Sequence, residues 1–247
     1  MITRIAHIAA ALTVGFASLS GAQSLATYGS AEVAGFGEGS ALIGTSISSS
    51  RMGWGPLASL TAQTYRYRSG LNSHAQAYAL SPSAGLQYRM PTGAVQASLG
   101  YTFVNTEFPG SVVGIENGSE NSPFVSAQAN YWGTGENTAQ AIANYGFRSE
   151  YYWTRFRAAH RLAPSATPVY VGGELVLQGT QKQRPIGNTG FTTPTQSRYQ
   201  FGPTIEYRFT PAFRLGGAAG YRGGNNNAAG SGYARIEFLV LSNLGGR

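Results

Sequence analysis

Hydrophobic and polar residues alternate along most of the chain from residue 25 onward. The clearest example is 199–209, where aromatic residues, Pro and Ile hold the odd positions, and Gln, Gly, Thr, Glu and Arg hold the even ones. Because successive side chains of a β-strand point to opposite faces, this segment has one apolar and one polar face. The same split recurs in 78–89, 95–103 and 234–240. Helical periodicity is nearly absent, so the pattern predicts an all-β protein.

Turn signals divide this pattern into twelve candidate strands. They span roughly 25–36, 39–49, 55–68, 74–89, 94–105, 122–133, 137–147, 150–162, 167–179, 197–209, 212–223 and 230–243. Connections after even-numbered strands are short, whereas several after odd-numbered strands are long and polar. We therefore predict a closed antiparallel up-and-down transmembrane β-barrel of about 12 strands, within a range of roughly 10–14, because outer-membrane barrels have this layout.

Aromatic residues gather near the predicted strand ends. If both termini lie in the periplasm, one group falls at the outer membrane interface and another at the inner interface, as Tyr and Trp prefer. The outer group includes Tyr65, Tyr67, Tyr101, Phe103, Tyr145 and Phe147. The inner group includes Trp132, Tyr207 and Phe209. The alternative is a soluble β-sandwich with an aromatic core, but such a core should contain more Ile, Val and Leu per strand.

The first 22 residues have the pattern of a secretory signal peptide. Arg4 supplies the positive start, residues 8–19 form the apolar stretch, and Ser20-Gly21-Ala22 offers a cleavage site. An N-terminal membrane anchor fits less well, because the apolar run is short and interrupted. We therefore expect a signal peptide at 1–22 and one barrel domain at 23–247, located in the outer membrane. Its expected partners are outer-membrane lipid and the barrel assembly machinery.

Composition excludes several kinds of site. The chain has no Cys and no Asp, its 10 acidic residues are all Glu, and Lys182 is the one Lys among 17 basic residues. Thiolate metal sites are therefore excluded, and so are catalytic triads that use Asp. We expect no metal and no cofactor. We also expect no nucleic-acid partner, since the basic residues are dispersed along the strands.

Charged residues on the polar face of the strands should point into the barrel lumen. The basic candidates are Arg89, Arg155, Arg157, Arg161, Arg208, Arg214, Arg222 and Arg235. The acidic candidates are Glu174, Glu206 and Glu237. The favoured interpretation is a network of ion pairs that braces a narrow barrel, because guanidinium groups suit buried pairing with carboxylates. The alternative is a passage or binding site for anions, such as acidic sugars or phosphates.

An enzyme of the lipid-modifying barrel class is a weaker hypothesis. His74 follows Ser73 near the outer rim, and Glu32 or Glu38 could orient it. Adjacent Ser and His are not a triad signature, and His160 falls on the lipid-facing side near the inner rim. We therefore predict no catalytic residues and no enzymatic activity.

Several segments between residues 150 and 243 resemble a bacterial family of barrel proteins from cellulose biosynthesis clusters (BcsS type). The likeness rests on 152–162 (YWTRFRAAHRL), 171–174 (VGGE), 198–202 (RYQFG) and 232–235 (GYAR). The resemblance implies an exported barrel with an accessory role in exopolysaccharide export, as a passage or docking surface with polysaccharide or export components as partners. The alternatives are the lipid-modifying enzyme and a structural or adhesion barrel that transports nothing.

Overall fold

The computed structural model describes residues 23–68, 74–107, 118–133, 135–162, 168–181, 196–225 and 230–244. These residues form twelve β-strands. The strands are β1 Gln23–Ala34, β2 Glu38–Ser49, β3 Gly53–Arg68, β4 His74–Met90, β5 Gly93–Glu107, β6 Gly118–Tyr131, β7 Asn137–Gly146, β8 Tyr151–Arg161, β9 Val169–Thr180, β10 Gln196–Arg208, β11 Phe213–Gly224 and β12 Ser231–Leu244. Each overlaps one predicted strand. The predicted signal peptide lies outside the described residues.

The strands form one closed antiparallel barrel in which each strand pairs with its sequence neighbours. The barrel closes where β1 pairs with β12, with Glu32 opposite Arg235 and Gln23 opposite Leu244. Closure leaves no strand edge without a hydrogen-bonding partner. The predicted closed antiparallel barrel of twelve strands is thus confirmed. Within the described ranges, no helix has the length and apolarity needed to cross a membrane.

The two ends of the barrel differ in the length of their connections. At one end, called the turn end, the strands are joined by residues 50–52, 91–92, 132–136, 162–168 and 209–212. The other end, called the loop end, has connections at 35–37, 69–73, 108–117, 147–150, 181–195 and 225–230. β1 begins and β12 ends at the turn end. Such asymmetry is typical of outer-membrane barrels, in which the long loops face outward.

The two faces of each strand meet different surroundings. On β5, Leu99 is 68% exposed on the outside of the barrel, whereas Ser98 and Thr102 on the other face are partly buried. A continuous outer surface of exposed apolar side chains is rare in water and suits hydrocarbon. We call the outer surface the lipid face and the inner surface the lumen face.

Aromatic pairs mark both ends of the lipid face. At the loop end the rings of Tyr101 and Phe103 are 5.1 Å apart, and those of Tyr145 and Phe147 are 5.5 Å apart. At the turn end the rings of Tyr207 and Phe209 are 4.4 Å apart. The structure thus forms one aromatic belt at each end, as membrane interfaces favour.

Two aromatic residues of the predicted outer group are placed differently, and Trp132 of the inner group lies in a turn at the turn end. Trp132 lies in the turn between β6 and β7, where its indole N–H donates a hydrogen bond of 2.9 Å to the carbonyl oxygen of Pro91. Tyr65 and Tyr67 lie on the lumen face, because they pair with the buried Ala77 and Ala75 of β4. The expectation that these two tyrosines join the outer belt is therefore wrong.

Candidate functional site

Arginine and glutamate side chains from opposite strands meet inside the barrel. This central cluster comprises Arg155 and Arg157 of β8, Glu174 of β9, and Arg235 and Glu237 of β12. The guanidinium groups of Arg155 and Arg157 contact the Glu237 carboxylate at 2.7 and 2.8 Å. Because β8 and β12 are four places apart around the barrel, these contacts pass through the lumen.

Glu174 is the most buried member of the central cluster, with a side-chain exposure of 0%. Its carboxylate accepts hydrogen bonds from Arg157 at 2.9 Å, from the Tyr233 hydroxyl at 3.0 Å, and from Arg235. A buried carboxylate is tolerated when charged donors surround it in this way. Glu174 therefore joins β8, β9 and β12 at one point in the lumen.

The central cluster extends to both neighbouring strands. Glu32 of β1 accepts hydrogen bonds from Arg235 at 3.2 Å and from the Gln200 amide at 2.8 Å. On the other side, Arg155 donates to Gln140 of β7. With Glu32 included, three arginines face three glutamates, so the formal charges cancel. These contacts match the interpretation of a bracing network.

A second group of lumen residues lies at the loop end. This loop-end cluster comprises Glu38, Tyr65, Tyr151, Arg198 and Arg222. Arg198 donates two hydrogen bonds to the Glu38 carboxylate, at 3.0 and 3.2 Å, and Arg222 contacts the same carboxylate at 3.0 Å. The Tyr151 hydroxyl donates to Gln178 at 3.0 Å.

A third group, the turn-end cluster, lies near the opposite mouth. Arg208 donates to Glu206 at 2.7 Å, and Arg214 lies 3.9 Å from the same carboxylate. The Arg208 guanidinium also stands 3.9 Å from the ring centre of Tyr170, a cation–π geometry. The Tyr170 hydroxyl donates to the carbonyl oxygen of Gly135 at 2.5 Å, which links this cluster to the turn after β6.

Strands β3 to β6 carry several short hydroxyl side chains on the lumen face, among larger residues such as Gln96, Phe124 and Gln128. We call the hydroxyl residues the hydroxyl wall: Ser59, Thr61, Ser81, Ser83, Ser98, Thr102 and Ser126. Ser59 and Ser83 share a hydrogen bond of 2.7 Å, and Ser81 and Thr102 share one of 3.0 Å. The lumen thus has an ionic side, from β8 through β12 to β2, and a side of short hydroxyl groups.

The structure brings most of the predicted lumen residues into these three clusters. Arg89 and Arg161 are the exceptions. Arg89 lies near the turn end with its guanidinium 5.8 Å from the Trp132 ring, and Arg161 ends β8 on the lumen face. Arg198 is a lumen residue that was not predicted, although it shares the parity of Glu206 and Arg208 on β10, and this parity indicates the lumen face.

Two glutamates of the lumen bind arginines rather than a histidine. Glu32 and Glu38 are the candidates to orient His74 in the sequence. In the structure Glu32 pairs with Arg235, and Glu38 pairs with Arg198 and Arg222. The alternation is weak in β1 and β2, so the sequence did not indicate that their glutamates join the arginines.

The two histidines of the described residues make simple polar contacts. His74 lies at the loop end, where its Nε2 is 2.5 Å from the carbonyl oxygen of Phe36. His160 lies at the turn end, with Nδ1 2.9 Å from Asn137 Oδ1. Ser73, the predicted neighbour of His74, lies outside the described residues. In the part of the chain that the structure describes, no group of three metal-binding side chains occurs.

Comparison with known proteins identifies the fold. The structure is similar to an outer membrane channel from Pseudomonas putida F1, with a TM-score of 0.59, 13% identity, and coverage of 90% of this chain and 96% of that one. It is also similar to a deletion mutant of the monoaromatic hydrocarbon channel TodX, with a TM-score of 0.55, 8% identity and 90% coverage of both chains. The chain has the fold of the outer-membrane β-barrels.

Sequence comparison adds no family. No protein-family model matches the chain, and none of the curated proteins matches it. The resemblance to the barrel family of cellulose biosynthesis clusters therefore stays a prediction.

Proposed function

We propose that this barrel is a passage for hydrophilic, sugar-like molecules across the outer membrane, with an accessory role in exopolysaccharide export. The observation that carries the proposal is the unequal lining of the lumen. The central cluster draws long charged side chains together on the side from β8 to β1, while the facing strands carry Ser and Thr.

The hydroxyl wall suits an uncharged polar solute. Ser and Thr hydroxyl groups both donate and accept hydrogen bonds, so they can exchange partners with sugar hydroxyls and with water. Together with Glu32, the central cluster has no net formal charge, because three arginines meet three glutamates. The middle of the lumen therefore sets up little selection by charge sign, and hydrogen bonding governs which solutes pass.

Two further observations support the proposal. The two similar structures named above are both described as channels, although at 13% and 8% identity they share only the fold. The resemblance of residues 152–162 and 171–174 to the barrels of cellulose biosynthesis clusters supports the exopolysaccharide role. Deleting the gene in its host should lower the amount of secreted exopolysaccharide, with rescue by the wild-type chain.

Electrical recording in planar lipid bilayers tests the passage directly. The wild-type barrel should form channels, and Ser98→Trp should reduce their conductance by roughly half, because the indole fills space beside the hydroxyl wall. The matched control is Ala97→Trp, which places the same ring on the lipid face of β5, where the register alternates. Its conductance should equal that of the wild type.

Two results would overturn this function. If the folded wild-type barrel forms no channels, it is a structural or adhesion barrel rather than a passage. If Ser98→Trp and Ala97→Trp lower the conductance equally, the solute path does not follow the hydroxyl wall.

A further inference from the structure

The loop-end cluster joins distant strands across the lumen. Arg198 on β10 and Glu38 on β2 are four strands apart in a barrel of twelve. Their side chains nevertheless bind each other at 3.0 Å, and Arg222 of β11 contacts the same carboxylate at 3.0 Å. These contacts pass through the lumen.

Exposure is uneven within the loop-end cluster. Tyr151 is 42% exposed although its side chain points inward, and the Arg198 side chain is 21% exposed. The Arg222 and Glu38 side chains, at 11% and 10%, are as buried as Arg155 of the central cluster, at 15%. A molecule at the loop-end mouth therefore reaches the space beside Tyr151 and Arg198 first, and we call this space the chamber.

The charges of the chamber favour an anion. Among the side chains of the loop-end cluster that the structure describes, two arginines bind one glutamate, because Arg198 and Arg222 both contact Glu38. Two positive charges minus one negative charge leave a surplus of one positive charge. The planar guanidinium group binds carboxylates through paired hydrogen bonds, as Arg198 does with Glu38. A second carboxylate is thus a fitting ligand for Arg222.

The aromatic rings of the chamber favour a sugar. The ring centres of Tyr65 and Tyr67 are 5.9 Å apart, and the ring planes are 28° from parallel. Both residues are on the lumen face of β3. A tyrosine offers an apolar ring and a polar hydroxyl in one rigid side chain, which suits a ligand with C–H faces and hydroxyl edges. A pyranose ring has this composition.

We propose that the loop-end cluster is a binding subsite for sugars that carry a carboxylate, of the uronic acid class. Arg222 and Arg198 hold the carboxylate, and Tyr151 and Tyr65 contact the ring and its hydroxyl groups. The inference rests on the proposed function in one respect, that sugars enter the lumen. It adds that acidic sugars are bound at the loop end, on the outer side of the neutral middle.

Calorimetric titration of the purified barrel in detergent micelles tests the subsite. The probe is a trimer of galacturonic acid, and maltotriose is its neutral counterpart of equal length. The acidic trimer should bind roughly tenfold more tightly than maltotriose, because charge-assisted bonds to arginine are about twice as strong as neutral ones. Added salt should reduce the difference.

Three variants locate the binding. Arg222→Gln should lower the affinity for the acidic trimer roughly tenfold, and Arg222→Lys should restore only part of it, because Lys lacks the planar fork. Arg214→Gln is the matched control, since Arg214 is on the lumen face of the same strand but belongs to the turn-end cluster. Its affinity should equal that of the wild type. Heat-dependent gel mobility verifies that each variant is folded.

The outcomes separate the subsite from the passage. Equal affinities for the two trimers, or equal losses in Arg222→Gln and Arg214→Gln, would overturn the subsite. Selective binding without channels in planar bilayers would retain the subsite and overturn the passage. Channels without selective binding would retain the passage and overturn the subsite.

Discussion

Glu174 shows how a single residue holds the lumen together. Its carboxylate is fully buried and accepts hydrogen bonds from Arg157, Arg235 and Tyr233. Moving a charge out of water costs several kcal/mol, so such a group is stable only when its partners remain in place. The dependence is mutual, because the arginines are also largely buried. The cluster is therefore sensitive to the loss of any member.

Replacing Glu174 with Gln should destabilise the folded barrel strongly. The change removes one of the two carboxylates that Arg157 and Arg235 share, the other being Glu237. We expect the free energy of unfolding to fall by about 3 kcal/mol. Urea titration of the barrel refolded in lipid vesicles measures this loss. Glu206→Gln is the control, because the Glu206 side chain is 26% exposed and should cost under about 1 kcal/mol. Equal losses in the two variants would show that burial does not set the strength of these pairs.

Each strand is defined by the alternation of its two faces, and β5 shows this over its whole length. Its lipid face carries Leu99 and Phe103, and its lumen face carries Ser98 and Thr102. Shifting the register by one residue would exchange the two sets, so the contrast between hydrocarbon and lumen fixes the register.

An arginine placed on either face of β5 tests this contrast. Leu99→Arg puts a charge on the lipid face and should lower the free energy of unfolding by about 2–4 kcal/mol near the middle of the bilayer. Ser98→Arg puts the same charge on the lumen face, where water and polar groups are available, and should cost much less. The measurement is urea titration in lipid vesicles. Similar costs would argue that the lumen at this level is as apolar as the lipid face.

Alternation predicted the strands well, but the assignment of aromatic residues to the lipid face failed at one strand end. Along β3 the parity is clear in the middle, where Ser59 and Thr61 face the lumen. Tyr65 and Tyr67 share that parity, yet their aromatic character suggested the lipid face. At a rim, aromatic side chains suit both the membrane interface and a polar chamber. At the rim, the pairing with the neighbouring strand therefore indicates the face of a side chain better than its residue type does.

At the scale of the whole molecule, the sequence predicted which charges face inward but not which of them meet. Arg155 and Glu237 are 82 residues apart and bind across the lumen. Their contact depends on how far the strand registers shift around the closed barrel, and that shift follows from all twelve pairings together. The face on which a side chain lies is determined locally, by its own strand. Which residue it meets across the lumen is determined by how the whole barrel closes.

Closure itself can be tested because the chain contains no cysteine. Ala31 of β1 is directly opposite Ile236 of β12, so the double variant Ala31→Cys, Ile236→Cys should form a disulfide on oxidation. The bond would link positions near the two ends of the chain, and the denatured protein should then migrate faster on a gel without reductant than with it. This shift requires that β1 and β12 pair in the register described.

The control for closure keeps one cysteine and moves the other along β12. Val240 pairs with Thr27, four residues from Ala31 along β1, which is about 13 Å at the rise of a strand. Cysteines at Ala31 and Val240 should not crosslink, because a disulfide needs Cα atoms within about 7 Å. Crosslinking of both pairs would indicate that β1 slides against β12, and crosslinking of neither would indicate an open sheet. A bond in the first pair alone requires a closed barrel with a fixed register, and the contacts across the lumen depend on that register.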